Sequence, residues 1–232
     1  MTTPRFQLLP LLALSQVVFS ALSILSATAQ DTRPKPTSEK WEEKIKEFEA
    51  KDAAFPPAPG QVLFVGSSSI VGWDLPKSFP DLKALNRGFG GSEVIDSLFF
   101  ADRIILPYKP MKIFLYAGDN DIGNGKSTRV VFDDFVKLAE WIEAKLPETE
   151  LIFVAIKPSI KRWNLWPEMQ RVNDLVAGYA RAKKNVSFAD ITTATLGDNG
   201  QPDPTLFKDD GLHLNAKGYA AWNAVINTFL ND

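Results

Sequence analysis

Short, continuous apolar runs alternate with longer amphipathic stretches from residue 61 onward. Continuous runs of this length are typical of parallel strands that are buried on both faces. The predicted strands are 62–65, 82–86, 112–117, 151–156 and 186–188. Apolar residues recur at helical spacing in 128–145, 167–183 and 215–230. This alternation predicts an α/β fold: a single three-layer α/β/α domain with a five-stranded parallel, flavodoxin-like sheet.

The N-terminus carries the pattern of an export signal. Arg5 precedes an apolar stretch over 8–25, which ends in the small-x-small sequence Ala27-Thr28-Ala29. This pattern predicts a secretory signal peptide over residues 1–29 and a protein that is secreted or periplasmic after cleavage. The alternative is a signal anchor, because the apolar stretch has marginal spanning length. Once the signal is removed, no stable membrane insertion is expected.

Residues 30–60 differ in composition from both neighbouring segments. Residues 30–37 are polar and contain prolines, which favours a flexible tether. Trp41, Ile45 and Phe48 recur at helical spacing and predict a helix over 38–52 that packs outside the main domain. The predicted organisation is therefore a signal peptide (1–29), a tether with a packing helix (30–60), and the main α/β domain (61–232).

Charge and residue usage exclude several classes of partner. The 232 residues include 26 basic and 28 acidic side chains, which gives no electrostatic case for binding nucleic acid. The absence of cysteine excludes disulfides, thiolate zinc sites and cysteine nucleophiles. Because the chain has only one histidine, a transition-metal centre is not expected. The sequence assigns no oligomeric state.

That one histidine, His213, limits the chemistry that the chain can perform. Any reaction that needs an imidazole must use its ring. Asp210 lies three residues earlier, close enough to accept the Nδ1–H if the intervening residues form a turn. A carboxylate that holds an imidazole supplies two of the three members of a nucleophilic triad. The alternative is a surface or capping histidine.

Serine, glycine and asparagine residues follow the first, second and third predicted strands. In parallel sheets the ligand site lies beyond the carboxyl ends of the strands. Ser67, Ser68 and Ser69 follow the first strand, where a serine on a tight turn is displayed beside helix N–H groups. A simple helix cap is the alternative. Gly88, Gly90 and Gly91 follow the second strand, and Asn120 follows the third. An asparagine amide there can donate to a developing oxyanion.

The order of these motifs resembles a known hydrolase superfamily. The SGNH (GDSL-type) hydrolases carry four sequence blocks. This chain resembles them at Ser68, Gly91, Asn120 and the Asp210-x-x-His213 pair. Residues 62–66 and 85–92 look most like the platelet-activating-factor-acetylhydrolase-like branch. The resemblance covers roughly residues 62–230. One departure is Ser67, which stands where the family usually has aspartate.

The resemblance implies a serine esterase that forms an acyl-enzyme. It assigns Ser68 as the nucleophile, with Ser69 as the alternative, and His213 as the general base. Asp210 is implied as the carboxylate that orients the ring, with Asp209 as the alternative. The implied oxyanion hole consists of the Ser68 and Gly91 backbone N–H groups and the Asn120 side chain. No metal or organic cofactor is required.

Aromatic and basic side chains near the predicted loops indicate the class of substrate. The candidate substrate-binding residues are Trp73, Phe89, Arg162 and Trp163, with Trp166 close by. Aromatic residues beside an arginine suit a sugar ring or a polar ester, and the alternative is that these aromatic residues pack in the core. We expect hydrolysis of short-chain, acetyl esters on a carbohydrate or small molecule.

Three other functions use the same sequence features. A lysophospholipase or thioesterase would act on longer acyl chains with the same triad. An acyltransferase that moves acyl groups between sugars would share every catalytic residue. A non-catalytic carbohydrate-binding module could retain the fold, but it has no need of Ser68, Asn120, Asp210 and His213 together.

Overall fold

The computed structural model describes Met1 and residues 38–230. The predicted signal peptide and the tether before residue 38 lie outside the described residues. Residues 38–230 belong to one compact unit.

The core of this unit is a five-stranded sheet in which every neighbouring pair is parallel. The strands are β1 (Val62–Gly66), β2 (Ala84–Gly88), β3 (Lys112–Tyr116), β4 (Glu150–Val154) and β5 (Val186–Ala189). Their order across the sheet is β2-β1-β3-β4-β5. This order confirms the predicted doubly wound, flavodoxin-like α/β domain.

Helices connect the strands and cover both faces of the sheet. In chain order they are α1 (Glu42–Ala54), α2 (Ser68–Val71), α3 (Leu75–Ser78), α4 (Val94–Phe99), α5 (Ala101–Ile104), α6 (Asp119–Gly123), α7 (Thr128–Lys145), α8 (Trp166–Arg181) and α9 (Ala216–Leu230). Helices α7, α8 and α9 begin and end within two residues of the predicted positions, whereas α1 begins four residues later than predicted, after a 3-10 turn at Ser38–Trp41. No helix in the described part of the chain is long and apolar enough to cross a bilayer.

Alternate strand residues supply two apolar cores, one on each face of the sheet. Leu63 and Val65 of β1 pack into the core that includes residues of α1, α4, α7 and α8. Val62 and Phe64 point to the opposite face and pack against residues of α2, α3 and α9. This two-residue period is the expected result for a strand that is buried on both sides.

The N-terminal helix α1 packs on the outside of the domain, as its sequence pattern predicts. Ile45 and Phe48 on its inner face are buried. The Arg103 guanidinium donates to the Glu42 and Glu49 carboxylates at 2.8 and 2.7 Å. At the end of the helix, Asp52 accepts hydrogen bonds from β2 and from the segment that precedes β3. Apolar burial and ion pairs together therefore fix α1 to the main domain.

Candidate active site

The turn between β1 and α2 displays Ser68 at the edge of the sheet. Gly66 ends β1 with a φ of +133°, and a Cβ there would lie 2.0 Å from the Tyr116 carbonyl oxygen of β3. Only glycine fits this close approach of two strands. Ser67 has extended backbone, and Ser68 is the first residue of α2. The Ser68 side chain is half-buried, whereas Ser67 and Ser69 are buried.

A tight loop before α9 holds the histidine and its carboxylate. The loop is closed by an antiparallel bridge between Phe207 and Leu214 and by the hydrogen bond from Lys208 N–H to the His213 carbonyl, at 2.8 Å. Within it, Asp210 Oδ1 accepts the backbone N–H groups of Leu212 and His213, each at 2.9 Å. These bonds form the turn that the spacing of Asp210 and His213 requires.

The serine, histidine and aspartate form a continuous chain of hydrogen bonds. His213 Nε2 lies 3.0 Å from Ser68 Oγ, and His213 Nδ1 lies 2.6 Å from Asp210 Oδ2. The His213 and Asp210 side chains are 35% and 48% exposed, so the arrangement opens directly to solvent. Hydrogen bonds from the His213 ring and from two backbone N–H groups hold the pKa of Asp210 well below its usual range. The ring therefore faces an ionised carboxylate.

The glycine loop after β2 and the start of α6 meet beside Ser68. Gly90 lies beside Ser68, since a Cβ at position 90 would be in ordinary contact with Ser68 Cβ, at 3.7 Å. Gly91 has a φ of +81°. Asn120, in the first turn of α6, donates its Nδ2–H to the Ser92 carbonyl at 3.0 Å. The three predicted oxyanion donors therefore lie on elements that are in direct contact.

The sequence matches the model of the GDSL-like lipase/acylhydrolase family over residues 64–221, which is more than half of the chain. The chain belongs to the GDSL-like lipase/acylhydrolase family. It is thus a carboxylic ester hydrolase, which agrees with the resemblance read from Ser68, Gly91, Asn120 and His213. Among curated proteins, no sequence matches this chain.

Solved structures share the fold of this GDSL-like hydrolase. A candidate platelet activating factor protein from Streptococcus pneumonia superposes with a TM-score of 0.74 at 23% identity, over 83% of this chain and 94% of that chain. A GDSL-like lipase from Bacteroides thetaiotaomicron gives 0.71 at 21% identity, over 81% and 97%. An acetylxylan esterase from Geobacillus stearothermophilus, as a catalytic mutant, gives 0.57 at 16% identity, over 75% and 94%.

A buried ionic network lies directly behind the asparagine of the GDSL-like site. Asp119 accepts hydrogen bonds from Lys157 Nζ at 2.8 Å and from Arg162 Nη1 at 2.5 Å. Lys157 also donates to the Tyr116 hydroxyl at 3.0 Å. Both terminal nitrogens of Arg162 lie 3.2 Å from Asn120 Oδ1. Asp119, Lys157 and Tyr116 were not among the predicted site residues.

Electrostatic attraction outweighs desolvation in this network. Burial, the largest single effect, would raise the pKa of Asp119, but Lys157 and Arg162 together lower it below its usual value. Burial likewise opposes charge on Lys157, yet Asp119 and Tyr116 raise the pKa of Lys157. Burial raises the pKa of Tyr116 to about 12. The network therefore holds ionised Asp119 and Lys157 beside a neutral phenol.

The structure separates the aromatic candidates into two groups. Trp73 and Phe89 are 2% and 1% exposed and pack inside the two cores, so neither is available to line a cleft. Trp73 donates its indole N–H to Asn223 Oδ1 at 2.9 Å and contacts other aromatic rings of the core. Trp163 and Trp166 are half-buried, with nearly parallel rings whose centroids are 6.3 Å apart. Only this second pair remains a candidate for contact with substrate.

The side chains of the site do not gather as metal ligands. Within residues 38–230, no group of three or more His, Asp or Glu side chains could hold a metal ion. The ring of His213 is engaged on both nitrogens by Ser68 and Asp210.

Proposed function

We propose that this protein hydrolyses short-chain, acetyl esters on carbohydrates or other small polar molecules, with Ser68 as the nucleophile. The observation that carries the proposal is the chain of contacts from Ser68 Oγ to His213 Nε2 at 3.0 Å and from His213 Nδ1 to Asp210 Oδ2 at 2.6 Å. A hydroxyl, an imidazole and a carboxylate in this order are the requirements for acyl transfer through serine.

The reaction proceeds in two halves. Ser68 Oγ attacks the ester carbonyl carbon while His213 Nε2 takes the hydroxyl proton, and a tetrahedral intermediate forms. The ester C–O bond then breaks, His213 returns the proton to the leaving alcohol, and the acyl group remains on Ser68. In the second half, His213 takes a proton from water, whose oxygen attacks the acyl carbon. Collapse of that intermediate releases the carboxylic acid and returns the proton to Ser68 Oγ.

The negative charge of each intermediate requires donors that are in position before the reaction. We assign the Ser68 and Gly91 backbone N–H groups and the Asn120 Nδ2–H to this task. Donors of this kind act strongly because they need no reorganisation as charge develops on the oxygen. The contact between Asn120 Nδ2 and the Ser92 carbonyl supports the assignment, since it ties the asparagine to the loop that carries Gly91.

The exposure of the triad and the aromatic side chains that follow Arg162 support a polar alcohol group. His213 and Asp210 are partly exposed at an open surface, which suits an ester on a large or polar molecule. The half-buried pair of Trp163 and Trp166 offers apolar ring area of the kind on which sugar rings pack. The structural similarity to an acetylxylan esterase is consistent with this class of substrate.

A chain-length series tests the proposal. The wild-type protein and Ser68→Ala would be assayed on p-nitrophenyl acetate, butyrate and octanoate, and on acetylated xylo-oligosaccharides. We expect the highest kcat/KM on acetyl esters, release of acetate from the oligosaccharides, and no turnover by Ser68→Ala. A maximum at octanoate would favour a lysophospholipase or thioesterase. Acetylated acceptor sugars in place of free acetate would favour an acyltransferase, and no turnover at all would favour a binding module.

We infer that the protein acts outside the cytoplasm. The support is the N-terminal sequence, in which Arg5 precedes the apolar stretch 8–25 and Ala27-Thr28-Ala29. Fractionation of expressing cells, followed by N-terminal sequencing of the exported form, tests this inference. A mature N-terminus at Gln30 is expected, and an unprocessed chain that stays in the cytoplasm would contradict it.

A further inference from the structure

We propose that Arg162 is a positioning residue for the oxyanion hole, and that it acts through the side-chain amide of Asn120. This proposal rests on the proposed function, because it assigns Asn120 as an oxyanion donor. The guanidinium holds the amide in one orientation and increases the polarity of the N–H that faces the reacting ester.

The hydrogen bonds of Asn120 define the orientation of its amide. Both Nη1 and Nη2 of Arg162 lie 3.2 Å from Asn120 Oδ1, while Asn120 Nδ2 lies 3.0 Å from the Ser92 carbonyl oxygen. A guanidinium carries only donors. A flipped amide would therefore set its NH₂ group against donors and its oxygen against a carbonyl. Arg162 and Ser92 thus allow a single orientation, in which Nδ2 points toward the glycine loop.

One Nδ2–H remains for the substrate in this orientation. A primary amide has two such hydrogens, and the Ser92 carbonyl takes one of them. Over residues 38–230, no hydrogen bond is formed by the other. The amide is thus held at its oxygen and at one hydrogen, and its second hydrogen is available for an oxyanion.

The Arg162 guanidinium is itself fixed by a buried ion pair with Asp119. Arg162 Nη1 donates to Asp119 Oδ1 at 2.5 Å, and Asp119 Oδ2 accepts from Lys157 at 2.8 Å. The Lys157, Asp119 and Arg162 side chains are 1%, 6% and 20% exposed. A charge pair that is buried to this degree has little freedom to exchange partners with water. The position of Arg162 is therefore set by the protein before any substrate arrives.

A glycine makes room for the guanidinium against α6. A Cβ on Gly123 would lie 2.8 Å from Arg162 Cζ and 2.9 Å from Nε. These distances are shorter than any ordinary contact, so a methyl group at position 123 must displace the guanidinium. The same helix that carries Asn120 at its start therefore leaves space at its end for the group that orients Asn120.

The charge of the network favours an oxyanion. Within the network of Lys157, Arg162 and Asp119, two positive charges and one negative charge leave one net positive charge, and Arg162 brings it into contact with Asn120. A cation on the carbonyl oxygen of an amide draws electron density from its nitrogen and makes the N–H a stronger donor. Fixed positive charge close to a developing oxyanion lowers the energy of the transition state relative to the bound substrate.

This geometry distinguishes positioning from substrate contact, which is the role expected for Arg162 from the sequence. An arginine that binds a substrate presents free N–H groups to the cleft, and its loss raises KM. Here three of the five N–H groups of Arg162 are used within the protein, two on Asn120 Oδ1 and one on Asp119 Oδ1, so its main contacts are with the groups behind the oxyanion hole. Loss of Arg162 is therefore expected to lower kcat and to leave KM largely unchanged.

The first test measures kcat and KM of Arg162→Met and Arg162→Lys on p-nitrophenyl acetate, a neutral substrate without a sugar. We expect kcat to fall roughly 10–100-fold in Arg162→Met, with KM within about 3-fold of wild type. Arg162→Lys is expected to recover part of kcat, because an ammonium keeps the positive charge but cannot place two nitrogens on Asn120 Oδ1. Arg129→Met is the matched control, because Arg129 is an exposed surface arginine. Wild-type kcat in Arg162→Met, or a rise in KM alone, would overturn the proposal.

A double-mutant cycle tests whether Arg162 acts through Asn120. In an Asn120→Ala background, Arg162→Met is expected to lower kcat by less than about 3-fold, because the group that it orients is already absent. Equal and multiplicative losses in both backgrounds would overturn the proposal. Gly123→Ala provides an independent variant that keeps every charge and moves only the guanidinium. We expect it to reproduce the fall in kcat, and unchanged kcat would count against the proposal.

These outcomes distinguish a failure of the proposed function from a failure of the positioning role of Arg162. If wild type shows no Ser68-dependent esterase activity, the proposed function fails. If wild type is active and Ser68-dependent but the Arg162 variants match it, the proposed function stands and the positioning role of Arg162 is wrong.

Discussion

His213 Nε2 lies 3.0 Å from Ser68 Oγ, although 145 positions separate the two residues in the chain. The packing of α9 against α2 brings them together. Ser68 follows β1, which lies inside the sheet between β2 and β3. The His213 loop precedes α9, and residues of α9 and α2 share one core. Tyr219 of α9 donates its hydroxyl to the Ser69 carbonyl at 2.8 Å, which fixes the two elements to each other.

Replacing Asn120 with alanine tests the oxyanion hole. Loss of one such donor typically lowers kcat by about 10²–10³. We expect this loss in Asn120→Ala on p-nitrophenyl acetate, with a Tm close to that of wild type. Asn164→Ala serves as the matched control, because Asn164 is exposed in the short 3-10 helix Trp163–Leu165 before α8. A kcat within a few-fold of wild type would remove Asn120 from the proposed mechanism.

Gly91→Ala tests the backbone of the glycine loop. Gly91 has a φ of +81°, and a Cβ there would lie 3.3 Å from the Trp41 ring. We expect the loop to shift and kcat to fall, because the Gly91 N–H loses its alignment with the oxyanion. Gly200→Ala is the control, since Gly200 has a φ of +72° but open space around it. If both variants lose stability equally and neither loses kcat, the role assigned to Gly91 is wrong.

Long elements are predictable from the sequence, and short ones are not. Helix α7 begins and ends at the predicted residues because its 18 residues repeat the apolar period several times. Strand β2 begins two residues later than predicted, since its first three residues are only partly buried and its apolar pattern is weak. Helices α2 to α6 have four to six residues, too few for a period to be recognised. Their existence depends on tertiary packing.

The triad is predictable because its residues have few competitors in the sequence. His213 is the only imidazole, and Asp210 has the right spacing for a turn. The network behind Asn120 was missed because its partners lie about 40 positions apart, Asp119 after β3 and Lys157 and Arg162 after β4. An acidic residue and two basic residues at the ends of adjacent strands were the available signal. Trp73 could not be assigned from the sequence, because an aromatic residue near a loop can turn into the core.

The buried carboxylate of Asp119 is expected to make stability depend on pH. Its pKa is lowered in the folded state, so its contribution is present above the pKa of an unfolded aspartate and is lost as the pH falls through the folded pKa. Asp119→Asn leaves Lys157 without its charge partner, and we expect a loss of about 3–5 kcal/mol at pH 7.

Urea denaturation at pH 7 and pH 3 measures this effect. The difference between wild type and Asp119→Asn should shrink at the lower pH. Asp133→Asn is the control, because Asp133 pairs with the exposed Arg129 and its loss should cost less than about 1 kcal/mol. An equal difference at both pH values would show that the Asp119 charge does not stabilise the fold.

The pH dependence of kcat/KM tests the role of the imidazole as a base. Hydrogen bonds from the His213 ring and backbone keep the pKa of Asp210 low, so this carboxylate stays ionised in mildly acidic solution. An imidazole must be neutral to accept the serine proton, so kcat/KM is expected to fall on the acid side of the profile. A profile that is flat down to about pH 4.5 would exclude imidazole as the base.

The most direct measurement compares Ser68→Ala with Ser69→Ala in hydrolysis of p-nitrophenyl acetate and in labelling by a fluorophosphonate. The two serines are adjacent, and only Ser68 contacts the His213 ring. We predict that Ser68→Ala loses both activity and labelling, while Ser69→Ala keeps both. Activity and labelling that survive in Ser68→Ala and disappear in Ser69→Ala would contradict it.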